Sequence, residues 1–507
     1  MRFRSALPLL FLASGCADYG SASGAPPLGR ASNEGDKYTA VGTNPFVMAA
    51  FDPFSTFAVD VDTASYDIFR RDIEAGSLPQ PDSVRLEEYV NSFEYAYDAP
   101  AHGAAVPFAI SLGGAPTLTS TRTSIVRIGI QAASPPPSQR LPTNLVFLID
   151  TSCSMQGADR LGLVQRVVLS AAAGLNQGDT VSIVTYAGSV GVALDTTPAS
   201  NRAAIDSAVQ NLQANGGTAG AAGIDLAYAQ AQAGFIQGGF NHVILCTDGD
   251  FNVGASSDDA LVDLIKSKRA TGITLTALGF GTGNLNDSMM EKVSNAGNGF
   301  YSMISSLPQA ERYGSTGLFS TIEIIARDMK VQVEFNPAHI EAYRLLGYEN
   351  RLIADEDFDN DLVDGGEIAS GHRVTALYEI VRAGEFVPSR VVIATGTPVE
   401  GTRTISPNDA VTIRVRYKQP MATDADAASE VSASLAPSAL AVNAAGDPDT
   451  QFAAAVAAFA EILKGSPFAD DTLLPEIQAT AQAQAARDDG RAEFARLVVE
   501  ARRLLGR

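Results

Sequence analysis

The chain has 507 residues, 46% of them hydrophobic and 18% charged, and a formal net charge of -21. That length exceeds one ordinary core, so several domains are expected. The acidic excess argues against a nucleic-acid-binding surface, which sets Lys and Arg against phosphates. No apolar run reaches the roughly 18 residues that a bilayer-spanning helix needs.

The chain opens with Arg2 and Arg4, a short apolar core "ALPLLFLA" and the small residues "ASGC" ending at Cys16. This is the layout of an export signal, and it resembles a bacterial lipoprotein signal, although Ala13 stands where Leu is commoner. The resemblance implies a signal peptide at 1–15, cleavage before Cys16, and a diacylglycerol on that cysteine. Residues 16–43, rich in Ala, Gly and Ser, read as a flexible tether. The implied place is the cell envelope, with the outer membrane favoured because Ala17 is not the Asp that favours inner-membrane retention. Only Cys153 and Cys246 remain, too few for a disulfide framework. The His residues at 102, 242, 339 and 372 show no ligand spacing, which leaves little for a zinc site or a His-based triad.

Residues 44–103 read as a short strand to Asp60 followed by two helices separated by "GSLPQP". In 104–133, Val126, Ile128 and Ile130 alternate with Arg127 and Gly129, the pattern of a half-buried strand. "SPPPSQRLP" breaks the chain. From 142 to 327, apolar strands ("LVFLI", "VSIV", "VILCT", "LTALGF") alternate with helix-period stripes such as Leu161, Val164, Val168. That alternation predicts a mainly parallel sheet covered on both faces. Period two returns over 328–435, as in Val411, Ile413, Val415, Tyr417. Helical stripes fill 448–507, one through Phe452, Val456, Phe459 and Leu463 and another through Phe494, Leu497, Val498 and Ala501. Strand sequence on both sides of the α/β block predicts a doubly wound domain inserted in, or flanked by, an antiparallel β-sandwich, with helical segments at both ends.

In "LVFLIDTSCSM" an apolar strand ends in Asp150, Ser152 and Ser154. Ligands of open parallel sheets bind at such carboxyl ends. "NGGTAGAAGIDLAY" adds Thr218 before a helix, and "VILCTDGDFNVG" adds Asp248 at another strand end. Carboxylates and hydroxyls without imidazole or thiolate suit Mg²⁺, Mn²⁺ or Ca²⁺. D-x-S-x-S, a Thr in a Gly-flanked loop and T-D-G closing a strand resemble the metal-ion-dependent adhesion site of von Willebrand factor type A domains. "STFAVDVDTASY", "GFGTGNLND" and "FNPAHIEAYRLLGYENR" resemble a bacterial family of envelope lipoproteins carrying that domain between an N-terminal segment and a family-specific C-terminal domain. The resemblance spans about 44–505. It implies a non-enzymatic protein holding a divalent cation through Asp150, Ser152, Ser154, Thr218 and Asp248, with one position open to an acidic side chain of a protein partner. Cys153 takes a place where Gly is common in this family; a Cys153–Cys246 bridge is conceivable but demands narrow geometry.

Asp60 and Asp62 in "VDVDT" mimic the nucleophile and the leaving-group acid of haloacid-dehalogenase-type phosphohydrolases, but no parallel sheet follows them. The acidic loop 355–367 mimics a calcium loop, with Asn360 where Gly belongs and Glu367 one place late. Ser152 and Ser154 lie outside any G-x-S-x-G nucleophile motif. A type A subunit serving a AAA+ ATPase, as in chelatases, is the other binding-protein reading, and export away from ATP argues against it.

Overall fold

The computed structural model describes residues 35–506 apart from 60, 102, 119–122, 218–219, 250–257, 270, 388–404, 421, 423–425 and 441–446. The lipoprotein-signal residues, Cys16, Asp60 and Thr218 thus lie outside the described residues.

The sequence's period-two regions build two facing sheets. One has the strand order Val47–Met48, Ile340–Leu346, Arg373–Arg382, Thr123–Ala132, Phe108–Pro116. The other runs Leu352–Ile353, Phe54–Ala58, Ile324–Phe335, Val411–Lys418, Ser429–Leu435, with Gly366–Ala369 also paired to 324–335. Every pairing within both sheets is antiparallel. Val126, Ile128 and Ile130 from one sheet and Val331, Val333 and Ile413 from the other share one core, because alternate side chains point to the same face.

The strand pairing at 123–132 with 373–382 joins segments on either side of the α/β block, so that block is an insertion in the sandwich. The segment 44–103 has the expected strand and two helices, and its strand Phe54–Ala58 lies beside Ile324–Phe335 inside the second sheet. One expectation needs correction. The strand Thr123–Ala132 is not half-buried; all ten residues are buried. Its second face is covered by helices, with Ile125 and Leu377 in one cluster with Phe452, Phe459, Phe494 and the N-terminal Tyr66, Phe69 and Tyr89. Arg127 on that face lies 4.8 Å over the Tyr97 ring and donates to Thr450 Oγ1 at 2.8 Å. A Cβ on Gly129 would stand 2.4 Å from Tyr97, so only Gly admits the ring there.

The C-terminal helix Pro448–Lys464 has local start and stop signals. Asp447 accepts from Thr450 N, Pro448 occupies the first turn, and Gly465 ends it at φ 68°. Its stripe, Phe452, Val456, Phe459 and Leu463, is buried as the spacing predicts.

The inserted domain has the strand order 301–304, 274–280, 240–247, 143–150, 180–186, 190–198. All neighbours are parallel except the last, antiparallel edge strand. Phe147 and Ile149 pack against Val164 and Val168 on one face. Val146 and Leu148 pack against Ile224 and Ala227 on the other. The near-continuous apolar runs follow from burial on both faces. The strand Thr143–Asp150 is bounded by 180–186 on one side and 240–247 on the other, which makes its carboxyl end the switch point of the sheet.

Candidate metal centre at the switch point

Asp150 ends the central strand and is fully buried. The next residues turn sharply: Ser152 N donates to Asp150 Oδ1 at 2.8 Å, and Thr151 N donates to Tyr186 O at 2.9 Å on the adjacent strand. This turn brings the Ser152 and Ser154 hydroxyls to 2.9 Å from each other. From the other neighbouring strand, Thr247 Oγ1 donates to Asp150 Oδ2 at 3.2 Å. Asp248 follows and is buried. Burial, followed by the Asp248 charge, pushes the Asp150 carboxyl up to about 6, against the hydrogen bonds from Ser152 and Thr247. The structure therefore brings Asp150, Ser152, Ser154 and Asp248 to one rim.

Thr218 lies outside the described residues, but the loop leading to it is tied to the same turn. Asn215 N donates to Thr151 O at 2.6 Å, and Cys153 N donates to Gly216 O at 3.0 Å. Cys246 is a free, buried thiol, so the conceivable bridge to Cys153 is not formed.

Two contributors, Asn284 and Arg160, had no local signature. Asn284 Nδ2 donates to Asp248 Oδ2 at 2.9 Å. Arg160 donates to Ser154 O and Thr282 O, each at 2.7 Å, and its Nε stands 4.0 Å from Asp248 Oδ2. Arg160 thus stitches the 152–155 turn to the 281–286 loop. Gly249, next to Asp248, adopts φ 96°, and a Cβ there would meet Leu285 Cα at 2.6 Å. The Gly of T-D-G is therefore required by close backbone approach.

The 281–286 loop is clamped from below. Asp36 Oδ1 accepts from Gly283 N at 2.8 Å and Leu285 N at 3.0 Å, while Oδ2 accepts from Arg71 at 2.8 Å. Lys37 N donates to Leu285 O at 2.7 Å. The expectation of a free tether to residue 43 is corrected here. From Asp36 onward the segment is docked, because its carboxylate satisfies two backbone donors of that loop.

The other acidic motifs have other partners. Asp62 Oδ1 accepts from Tyr301 N at 2.8 Å, fastening the N-terminal segment to the inserted domain. In the 355–367 loop, Asp355 accepts from Thr56 at 2.6 Å, Asp359 and Asp361 face Arg416 at 3.2 and 2.9 Å, and Asp364 faces Arg269 at 2.9 Å. Burial and the Asp364 charge push Glu367 up to about 8. The loop is dispersed onto separate partners and does not converge. Among the described residues no three His, Cys, Asp or Glu side chains form a metal cluster. The rim at Asp150 depends on hydroxyls beside its two acids.

The descriptions of known families agree with this architecture. The von Willebrand factor type A domain matches residues 144–313, a von Willebrand factor family matches 32–127, and the family described as "Uncharacterized protein YfbK, C-terminal" matches 320–504. Uncharacterized protein YfbK of Escherichia coli (strain K12) is 36% identical over 471 residues, 91% of this chain and 80% of that protein. Uncharacterized protein sll0103 of Synechocystis sp. is 30% identical over 185 residues, 36% of this chain and 43% of that protein. A solved von Willebrand factor type A protein from Catenulispora acidiphila covers 81% of this chain and 88% of its own, at 17% identity and a TM-score of 0.41. BatB from Bacteroides thetaiotaomicron covers 35% and 97%, at 21% identity and a TM-score of 0.30. Likeness at those TM-scores adds nothing to the sheet order itself. Extended identity to YfbK along almost the whole chain, with the type A and C-terminal matches in the same order, shows that the chain belongs to the YfbK family, a von Willebrand factor type A domain joined to a YfbK-type C-terminal domain.

Proposed function

We propose that the chain is a non-enzymatic, lipid-anchored envelope protein that binds an acidic side chain of a protein partner through a divalent cation on the type A rim. The observation that supports it is the buried Asp150 carboxylate at the switch point, beside two hydroxyls 2.9 Å apart and the Asp248 carboxylate. The donor set fits a hard cation: oxygen only, two acids, no thiolate or imidazole turned to it. Burial beside the Asp248 charge pushes the Asp150 carboxyl up to about 6, a direction that a cation bound there would oppose. Asp150 and Asp248 would hold Mg²⁺, Mn²⁺ or Ca²⁺ with the hydroxyls of Ser152, Ser154 and Thr218. When bound, the ion supplies a positive site that a partner carboxylate completes.

Each residue at the rim has a separable part in this reading. Thr247 and Ser152 N hold the Asp150 carboxylate in place. Asn284 orients Asp248. Arg160 keeps the two loops together, with its Nε 4.0 Å from Asp248 Oδ2.

Asp150→Ala and Asp248→Ala are each expected to abolish Mn²⁺ binding by calorimetry while the circular dichroism stays unchanged. Capture of a partner from envelope extract should require Mg²⁺ and fail with Asp150→Ala. Undiminished cation affinity in both variants would remove the site. The anchor is tested separately: the mature protein should carry an acyl mass on Cys16, and Cys16→Ser should abolish it.

A further inference from the structure

A cavity of about 620 Å³ opens between the five-stranded sheet and the C-terminal helices, sharing no residue with the cation rim. Leu118, Ile125 and Leu346 form its sheet wall, and Ala454, Ala457 and Ala458 its helix wall. The alanines leave space where larger side chains would close it. Arg344, Glu379 and Glu461 also line it, with Asp470 and Asp471.

The charged trio is lopsided. Arg344 donates to Glu379 Oε2 at 3.3 Å from Nε and 2.9 Å from Nη2, and to Glu461 Oε1 at 2.9 Å from Nη1. Its guanidinium carbon lies 3.6 Å from the centre of the Phe468 ring, which covers the cation's face. The only cation among the described residues of the lining is therefore engaged on its edge and its face. Glu461 is 7% exposed, and its Oε2 has no hydrogen-bond partner among the described residues. A staple between sheet and helix needs one carboxylate oxygen from Glu461; the second is a buried acceptor without a donor, which is costly to leave so. Among the described residues the lining carries four acids against one Arg, and their field favours a cation.

We propose that this cavity binds an organic cation with an aliphatic body. Glu461 Oε2 is closed off in this structure, and a turn of the carboxylate about its bond to Arg344 presents it to an ammonium or guanidinium N–H, while the body lies on the alanine and leucine walls. Lysine or arginine in a partner peptide and a free alkylamine share this chemistry. An anionic amphiphile of the same length meets the unpaired carboxylate instead and is rejected.

The test is calorimetric titration of the full chain with n-octylammonium, octanoate and octanol, and with a neutral-ended apolar peptide holding one Lys or, as control, one norleucine. Octylammonium should bind saturably, and about tenfold or more tighter than octanoate and octanol. Tighter binding of the Lys peptide than of its norleucine control assigns the cavity to a peptide; a response to octylammonium alone assigns it to a free amine. Glu461→Gln keeps an oxygen for Arg344 and should weaken the cation by about tenfold while leaving octanol unchanged. Ala458→Leu, which fills the cavity without touching the trio, should weaken every probe and serves if Glu461→Gln does not fold. Equal affinity for octylammonium and octanoate, no binding of either cationic probe, or no effect of the variants would overturn the proposal. Cation binding at the Asp150 rim is unaffected by any of these results.

Discussion

At the scale of single residues, burial sets the charge states that matter. Asp150 is the instance at the candidate metal centre, and His242 is the structural one. His242 sits at the opposite end of its strand from Thr247, is 1% exposed, and shares a 2.6 Å hydrogen bond between Nδ1 and Thr274 Oγ1. Burial lowers its imidazole from 6.5 to about 3. The folded state thus prefers the neutral ring, and the unfolded chain takes up a proton first as the pH falls. The stability from neutral His242 is whole above 6.5 and is lost progressively between 6.5 and about 3. At about pH 5 the loss should approach about 2 kcal/mol. Urea unfolding across this range should show an acid limb that His242→Gln makes shallower. Cys246, buried in the same strand, is held as a thiol by the same cause.

At the scale of elements, polar clasps set the alignment of segments that also share an apolar contact. The 281–286 loop is the clearest. Asp36 fixes its backbone from one side, and Asn284 passes that order to Asp248. Asp36→Ala should raise amide exchange across 281–286 and weaken Mn²⁺ affinity several-fold, although Asp36 touches no cation donor; unchanged exchange and affinity would make the clasp irrelevant to the rim. Arg85 is the second clasp. It is 2% exposed and pairs bidentately with Asp287 at 2.5 and 3.1 Å, and with Glu88. It thereby fastens the N-terminal helices to the helix Asp287–Ala296. Arg85→Ala leaves two buried carboxylates without their cation, so denaturant melts should show a loss of about 3–5 kcal/mol.

At the scale of the whole molecule, insertion decides what can fold alone. The inserted domain covers both faces of its own sheet, so a fragment of about 140–328 should fold and bind Mn²⁺. It should melt below the full chain, because Leu285, Met290, Tyr301 and Met303 lose the cover of Ala64 and Ile68. A fragment of 329–435 lacks the neighbours of four of its strands: Phe54–Ala58 beside Ile324–Phe335 and Leu352–Ile353, Val47–Met48 beside Ile340–Leu346, and Thr123–Ala132 beside Arg373–Arg382. It should show no cooperative melt. A well-dispersed NMR spectrum from that fragment would mean that the sandwich closes without the distant strands.

The sequence by itself determined the features that local chemistry encodes. Hydrophobic periods located the α/β block, the flanking strands and the helical ends, because a strand or helix buries a repeating set of side chains. Asp150, Ser152, Ser154 and Asp248 were legible because carboxylates and hydroxyls at strand ends break those periods. The clasps were not legible. Asn284 reaches Asp248 across 36 positions, Arg85 reaches Asp287 across 202, and Asp36 reaches Gly283 across 247. Each is one polar residue in an unremarkable stretch, and its partner is chosen by chain folding. The same holds for the second face of Thr123–Ala132. Its alternation with Arg127 and Gly129 reads as exposure to water, yet Tyr97 and the helix Pro448–Lys464 lie on it. A side chain's period tells which residues share a face; only the tertiary structure decides whether that face meets water, a helix, or a buried partner hundreds of residues away.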